Sequence, residues 1–329
     1  MHFNAITLAS AFLATSSAIE THGGYHYESR FSVDAAPETS DVKDPYETEA
    51  AKQAYARLEE QVKATGIAKQ CLAEPTGVQP ADLYALKDCI AADNKDHFFT
   101  LLADDIEESD DFWEKVVQES TTNRTLWVPA RVYTKCYFNG DLTALEFAAW
   151  TLSPNADKAN LNANPEHYYK ETVLDITGAQ SSQIFEGWGG VLSTFGTKRT
   201  NFTVPAFATP VYGTEDTPEA WDIGPSFALP LQRVGAKNLV SGSRQTFGVL
   251  HIAVRDFLAS EGSTGLAGIE IYSAVWYPPW DQADAADQQE FVKNYLADEA
   301  HHMVVEVINL TLQAREDCKT GLCVLPSSS

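Results

Sequence analysis

The chain has 329 residues, and 23 Lys and Arg stand against 46 Asp and Glu, so its formal net charge is −23 at pH 7. Such a surface repels polyphosphates and anionic lipid headgroups, which excludes nucleic acid as an expected partner and favours a neutral or weakly polar small molecule. No apolar run in the sequence approaches the roughly 18 residues of a transmembrane helix, so no membrane span is predicted.

The first 18 residues are typical of a cleaved secretory signal. An apolar run from Ala5 to Ala14 is followed by small residues up to Ala18, where signal peptidase cleaves. Three N-x-Thr sequons agree with export and predict N-glycosylation. Their acceptors are Asn123, Asn201 and Asn309. We therefore expect a secreted glycoprotein that matures in the secretory pathway.

Five cysteines in an oxidising compartment leave one thiol unpaired. Cys71 and Cys89 flank a short segment with two prolines, and Cys318 and Cys323 enclose the tight loop KTGL. We predict a disulfide within each of these local pairs and a free Cys136, although spacing alone does not determine connectivity.

The acidic segment 19–48 has few large aliphatic residues, and its composition predicts a flexible leader. The folded part is expected to be a single α+β domain over 49–323, followed by a short tail at 324–329.

Helices are predicted in the first third of this domain. Glu49 to Thr65 carries an apolar stripe, and Pro80 opens a second helical stretch that breaks near Asn94 and resumes. Asp111 followed by Glu114 resembles a capping box at the start of a third helix.

Strands are predicted after Trp127. RVYTKCYF alternates, Asn139-Gly140 is typical of a type I′ turn, and LTALEFAAWTL returns, so 131–152 is predicted to be a hairpin. Further strands are expected at 168–177, 181–196 and 200–205, and a long surface loop at 205–230.

The C-terminal third contains the clearest strand patterns, at 244–257 and 269–277. A helix is expected in DQADAADQQEFVKNYLADEA, whereas the Val and Ile density of HHMVVEVINLTLQ favours a strand over a continuing helix. The predicted fold is α+β, with N-terminal helices followed by a largely antiparallel sheet that can close in part into a barrel around a cavity.

The two best strands each have two different faces. One face gathers Leu250, Ile252 and Val254 with the aliphatic positions of 269–277. The other face carries an acid, a base, a cation and aromatic rings, namely His251, Arg255, Glu270, Tyr272 and Trp276. This set suits a pocket that holds an unsaturated ligand and moves a proton. The alternative is a solvated sheet face on which Arg255 and Glu270 form an ordinary cross-strand pair.

Glu299-x-x-His302 has the spacing of a di-iron ligand motif, but a di-iron site needs the motif twice. Zinc would need a third ligand that the sequence does not identify, so His301 and His302 are interpreted as a surface or helix-cap pair and no metal is predicted. The alternative is a metal-dependent enzyme centred on these two histidines. His167 is interpreted as a residue at the start of a strand, with a general-base role as the alternative.

Motifs for hydride transfer, ATP chemistry and α/β-hydrolase chemistry are absent from the sequence. The chain has no GxSxG, HExxH, P-loop, dinucleotide fingerprint or paired CxxC. The remaining possibilities are a reaction on a carbon skeleton without a cofactor, or binding alone.

Two resemblances bear on this choice. LKDCIAADNKDHFFTLLADDI resembles the opening of SnoaL-like polyketide cyclases, which implies an apolar cavity. GVLHIAVRDF, GIEIYSAVWYPPW and HHMVVEVINL resemble secreted fungal biosynthetic-cluster proteins of the hetero-Diels-Alderase type that join a tropolone to humulene. That resemblance implies a cofactor-free cyclase acting on a hydrophobic polyketide or terpenoid substrate.

Different residues of the polar strand face suit different steps of such a reaction. His251 or Glu270 would assist proton transfer, and Arg255 and Tyr272 would polarise a carbonyl oxygen. The expected apolar walls are Trp276, Trp280 and Trp188. The rival hypothesis is a secreted glycoprotein that binds a small hydrophobic ligand or a surface partner without catalysis. Oligomeric state and substrate identity are not predicted.

Overall fold

The structure is a computed structural model that describes most of the chain after the predicted signal. The described residues are 19–32, 42–73, 75, 77–174, 180–199, 232–240 and 244–323. The predicted signal, the strand at 200–205, the loop at 205–230, the tail and the sequon at Asn201 lie outside them.

The N-terminal helices form where the sequence predicts helices, but the helix start predicted at Asp111 is wrong, because Asp111 lies inside a helix that begins at Ala103. The α-helices are α1 (Lys43–Thr65), α2 (Pro80–Asn94), α3 (His97–Leu101), α4 (Ala103–Gln118), α5 (Ala144–Thr151), α6 (Ala156–Leu161), α7 (Ala285–Glu290) and α8 (Ala297–Lys319). Helix α1 ends where Gly66 adopts a φ of 75°, and Pro80 occupies the first turn of α2, where a missing N–H is not needed. A π-helical segment, Phe291–Leu296, joins α7 to α8.

Nine strands form one antiparallel sheet in the described residues. They are β1 (Glu20–His22), β2 (Tyr25–Ser32), β3 (Val128–Tyr137), β4 (His167–Leu174), β5 (Gln180–Trp188), β6 (Val191–Arg199), β7 (Gln232–Leu239), β8 (Thr246–Phe257) and β9 (Gly268–Tyr277). The order is β1-β2-β3-β9-β8-β7-β6-β5-β4. The α+β prediction is confirmed. Among these strands the end members β1 and β4 are not paired with each other, so the sheet is open rather than a closed barrel.

Helix α8 is the main element on one side of the sheet, where it packs against β2, β3 and β5. The central strand β9 is buried at every position, so both of its faces are covered. A second apolar cluster lies between the N-terminal helices and the β4–β6 end of the sheet, where Leu58, Leu86 and Phe98 pack with Tyr168 and Phe185. The site described below lies on the α8 side.

The prediction of a flexible leader at 19–48 is corrected for the residues described there. Strands β1 and β2 form a hairpin, and β2 pairs with β3 from His26 to Ser32. Tyr27 and Phe31 are buried in the main core, so the aromatic residues of this acidic segment bind it to the sheet.

The prediction of a hairpin at 131–152 is correct for its first strand and wrong for its second. Strand β3 forms, and Asn139 and Gly140 both have positive φ as the turn signal requires. The chain then enters α5 instead of returning as a strand. Thr143 and Glu146 form a capping box at its start, which is the helix signal that the hairpin interpretation overlooked.

The segment HHMVVEVINLTLQ is helical, so the strand preference was wrong. It continues α8, whose β-branched residues Val304, Val305 and Ile308 are buried by tertiary packing. Burial on this scale outweighs the small helix-propensity cost of β-branched residues. Strand β7 was not predicted at all.

Both local disulfides are present, and the prediction is confirmed. Cα atoms of Cys71 and Cys89 lie 5.6 Å apart, and those of Cys318 and Cys323 lie 4.7 Å apart. Cys136 is a buried free thiol. Of the helices that the structure describes, none combines the length and apolar character needed to cross a membrane.

Candidate functional site

The strand pair β8–β9 has the register that the sequence predicts. Arg255 lies opposite Glu270, and His251 lies opposite Ala274, so the polar set shares one face and the aliphatic set shares the other. The polar face is not solvated, because His251 and Tyr272 are 0% exposed. The alternative of a solvated face is therefore wrong.

Glu270 is held by several donors at once. Arg255 donates from Nη2 to Oε1 at 2.7 Å and from Nε to Oε2 at 3.0 Å, and the Tyr133 hydroxyl donates to Oε2 at 2.8 Å. This is a bidentate ion pair, the geometry in which arginine binds carboxylates most strongly. The arrangement fits a structural anchor.

His251 and Tyr272 form an edge-to-face pair with ring centroids 5.5 Å apart. Burial lowers the pKa of His251 to about 4, so its ring is neutral at pH 7. A catalytic role for His251, Arg255, Glu270 and Tyr272 stays a prediction.

A cavity of about 180 Å³ lies behind the aliphatic face, between the sheet and α8. We call it the sheet–helix cavity. Its apolar lining includes Ile184, Leu250, Ile252, Val275, Met303 and Leu310. Its wall thus contains the strand face that the sequence assigned to the core and excludes the face that it assigned to a pocket.

One face of α8 supplies both apolar and ionisable groups to this cavity. The residues recur at three- and four-residue intervals, the spacing of one helical face. They are Glu299, His302, Met303, Glu306, Val307 and Leu310. Glu186 on β5 and Lys237 on β7 face them from the sheet. We call Glu186, Lys237, Glu299, His302 and Glu306 the acid–base cluster.

Lys237 lies at the centre of this cluster and is 2% exposed. Its Nζ donates to Glu186 Oε1 at 3.1 Å and lies 3.7 Å from Glu299 Oε1. The Tyr277 hydroxyl donates to the same Glu299 oxygen at 2.8 Å. The ring of Trp188 lies under the ammonium, 4.3 Å from Nζ to the centroid, which adds a cation–π contact.

His302 contacts His167 at the edge of the cluster. The two Nε2 atoms lie 2.9 Å apart, and His167 Nε2 lies 3.4 Å from Glu186 Oε2. His167 Nδ1 donates to the Asn160 carbonyl at 2.8 Å. His167 does begin β4 as predicted, but His302 is 1% exposed, so its interpretation as a surface residue is wrong.

Two carboxyl groups of the cluster have raised pKa values. Burial, opposed in part by Lys237 and reinforced by Glu186, raises the pKa of Glu299 to about 7. Burial and the charge of Glu186 raise the pKa of Glu306 to about 8. Both groups therefore exchange protons near neutral pH, which is the property of a general acid or base.

The three tryptophans expected to form one wall lie in different places. Trp188 lies beside Lys237, and Trp276 is on the polar face of β9 opposite Val249. Trp280 packs against Phe112 and donates from Nε1 to Glu119 at 2.8 Å. None of the three is among the residues that line the sheet–helix cavity.

Most residues of the acid–base cluster were not predicted from the sequence. Lys237 lies in the unpredicted β7, and Glu306 lies in a segment assigned to a strand. A helical reading of Glu299, His302 and Glu306 would have placed all three on one face with Met303 and Val307. Nothing local in the sequence marks Glu186 or Lys237, because sheet pairing brings them together.

The described sequons differ in accessibility. Asn123 is exposed. Asn309 lies within α8, and its Nδ2 donates to Glu47 Oε1 at 2.8 Å and to the Ala163 carbonyl at 3.1 Å. Glycosylation itself stays a prediction.

Comparison with known proteins does not identify a family. No protein-family model matches the sequence, and no curated protein matches it. Among solved structures, a similar chain is the one titled "Crystal structure of Ara h 8.0201", with 11% sequence identity, a TM-score of 0.29 and coverage of 56% of this chain and 97% of that chain. This likeness is too distant to support a shared function.

Proposed function

We propose that this protein is a cyclase that acts on a small hydrophobic substrate of the polyketide or terpenoid class. The supporting observation is the acid–base cluster in the wall of an otherwise largely apolar cavity. An apolar wall would suffice for passive binding of an apolar ligand, and burying Lys237 with three carboxyl groups has a desolvation cost. A role in proton transfer would explain why these ionisable groups are buried together despite the desolvation cost.

The finer proposal is a hetero-Diels-Alder reaction that begins with a dehydration. Glu306 in its protonated form donates a proton to the leaving hydroxyl of a hydroxymethyl group, the C–O bond breaks and water departs. Glu299 as the carboxylate accepts the proton of the neighbouring ring hydroxyl, which yields a quinone methide. Proton transfer between the two carboxyl groups restores the starting state.

Lys237 stabilises the negative charge that develops on the ring oxygen. The quinone methide then adds to an alkene, forming one C–O and one C–C bond without losing atoms. The cavity is smaller than the roughly 300–1,000 Å³ of drug-sized sites, so it suits the smaller reaction partner. Holding that partner in register with the alkene supplies the remaining rate enhancement.

The test compares metabolites of the source organism by LC–MS with the gene deleted and then restored as wild type, Glu306→Gln or Glu270→Gln. The two variants make the same chemical change on opposite faces of the sheet. We expect a product to disappear on deletion, to return with wild type and with Glu270→Gln, and to fall at least about 100-fold with Glu306→Gln.

Other results would reassign the function. Loss with Glu270→Gln but not with Glu306→Gln would move catalysis to the polar strand face predicted from sequence. An unchanged metabolite profile after deletion, together with a small molecule that co-purifies with the protein, would replace the cyclase by a binding protein.

A further inference from the structure

Three metal-ligating side chains converge at the edge of the acid–base cluster, and none of them transfers a proton in the proposed mechanism. His167 begins β4, Glu186 lies opposite it on β5, and His302 comes from α8. One ligand atom from each lies within 4.8 Å of the other two. All three residues are at most 8% exposed. Three different elements therefore hold the set in place.

A neighbouring group orients each of two ligands from behind. The Asn160 carbonyl accepts from His167 Nδ1 at 2.8 Å, so the lone pair of His167 is on Nε2, which faces His302 and Glu186. Lys237 binds Glu186 through Oε1, which leaves Oε2 directed at His167. Hydrogen bonds of this kind to the far side of a ligand are the usual support of a metal site.

With both histidines neutral and Glu186 ionised, hydrogen bonding alone does not satisfy the contacts of His167 Nε2. A proton on His302 Nε2 would satisfy the 2.9 Å contact between the two rings. The lone pair of His167 would still face Glu186 Oε2 at 3.4 Å with no proton between them. A cation among the three atoms would satisfy both contacts at once.

We propose that His167, Glu186 and His302 bind a divalent transition-metal ion of the zinc type. Two imidazole nitrogens and one carboxylate oxygen form a ligand set of catalytic zinc, which leaves one coordination position open. Tetrahedral zinc with bonds of about 2.0–2.1 Å separates its ligand atoms by about 3.3 Å. The observed 2.9 and 3.4 Å are close to that separation.

The open position would face the sheet–helix cavity, because Glu186 and His302 both line it. An ion there would act on a bound substrate as a Lewis acid. The neighbouring Lys237 ammonium repels a dication, but the carboxylate of Glu186 would lie between the two cations, with Oε1 on Lys237 and Oε2 towards His167. The inference goes beyond the proposed cyclase and does not depend on it.

The test is metal binding by the full protein, produced without a histidine tag and stripped with EDTA. Zn²⁺ is titrated by calorimetry, and Co²⁺ is titrated by visible absorption, which detects tetrahedral coordination. His302→Gln removes a ligand. His301→Gln is the matched control, because this neighbouring ring packs on Phe31 and Tyr46 instead.

We expect about one equivalent of either metal to bind, with visible Co²⁺ bands and a higher unfolding temperature of the loaded protein. His302→Gln should weaken binding more than about 100-fold, since changes behind the ligands alone cost about 10–100-fold. His301→Gln should leave binding within about twofold.

Three results would overturn the proposal. They are no saturable binding by the wild type, wild-type affinity in His302→Gln, and a thiolate charge-transfer band, which would place the metal on Cys136. If His302→Gln does not fold, as judged by circular dichroism, Glu186→Gln is read by the same criteria. The wild-type spectrum and unfolding temperature remain decisive in either case.

Discussion

At the residue scale, two buried glutamates with similar neighbours differ in the hydrogen bonds they have left to form. Glu270 accepts two N–H bonds from Arg255, so both of its oxygens are occupied. Glu299 receives the Tyr277 hydroxyl and the more distant Lys237 on Oε1, whereas Oε2 has no partner among the described residues. A carboxylate with one unoccupied oxygen is better placed to bind or transfer a proton.

We therefore infer that Glu270 stabilises the sheet. Arg255→Ala removes the bidentate partner of this buried carboxylate and leaves only the more distant Lys135, whose Nζ is 3.8 Å from Oε1, so we expect a loss of about 3 kcal/mol in the free energy of unfolding. Denaturant unfolding of the variant measures it. Glu261→Gln, which removes the more exposed partner of Arg255, is the control and should cost less than about 1 kcal/mol. Equal effects would contradict the assignment.

Glycan occupancy should differ between the two described sequons. Asn309 lies within α8, and a sugar on it would break its bonds to Glu47 and Ala163, whereas Asn123 is exposed. We expect peptide mapping after N-glycosidase treatment to report deamidated Asn123 and unmodified Asn309. A glycan on Asn309 in the folded protein would contradict the packing of α8.

At the element scale, the predictions held where local pattern and tertiary packing agree. The Pro80 helix start and the β8–β9 pair follow from local signals. The single strand predicted at 181–196 is wrong, because the chain turns at Gly189-Gly190 and forms the two paired strands β5 and β6. The local signals in α8 gave the wrong prediction, because its Val and Ile residues favour a strand. Its burial against the sheet favours a helix instead. The candidate site was mostly missed for the same reason, since it joins α8 to β5 and β7.

The two disulfides should stabilise their elements unequally. Cys71–Cys89 spans 18 residues and Cys318–Cys323 spans 5. Chain-entropy arguments give about 3 kcal/mol for the longer loop and about 2 kcal/mol for the shorter. We expect the Cys71→Ser/Cys89→Ser variant to unfold at lower denaturant concentration than Cys318→Ser/Cys323→Ser. The reverse order would show that strain or residual structure outweighs loop entropy.

At the scale of the whole molecule, buried titratable groups define a pH window of stability. Glu299 and Glu306 have folded-state pKa values of about 7 and about 8, above the ordinary 4.5, so their contribution is complete below pH 4.5 and is lost as pH rises through these values. His251, with a pKa lowered from 6.5 to about 4, loses its contribution as pH falls through that range. Between pH 4.5 and 6.5 the two glutamates outweigh the single histidine, so the contribution of these three groups to stability is greatest near pH 4.5 and falls as pH rises.

We expect the unfolding temperature to fall by about 5 °C or more between pH 6 and pH 9. The pKa of Glu306 depends on charged groups from four elements, namely Lys170 on β4, Glu186 on β5, Lys237 on β7 and Glu299 on α8. Asn160 on α6 also donates a hydrogen bond to its carboxyl group. Glu306→Gln cannot ionise, so its unfolding temperature should change less over the same range. A parallel curve for the variant would remove Glu306 from the explanation.

The N-terminal hairpin has a consequence for the solubility of the molecule. A chain shortened to begin at Glu49 would lose β1 and β2 and would leave the backbone groups of β3 from Arg131 to Tyr137 without their partners. An unpaired edge strand exposed in this way is a template for pairing with another copy, which leads to aggregation. Resistance to aggregation thus depends on a segment that contributes no residue to the lining of the cavity.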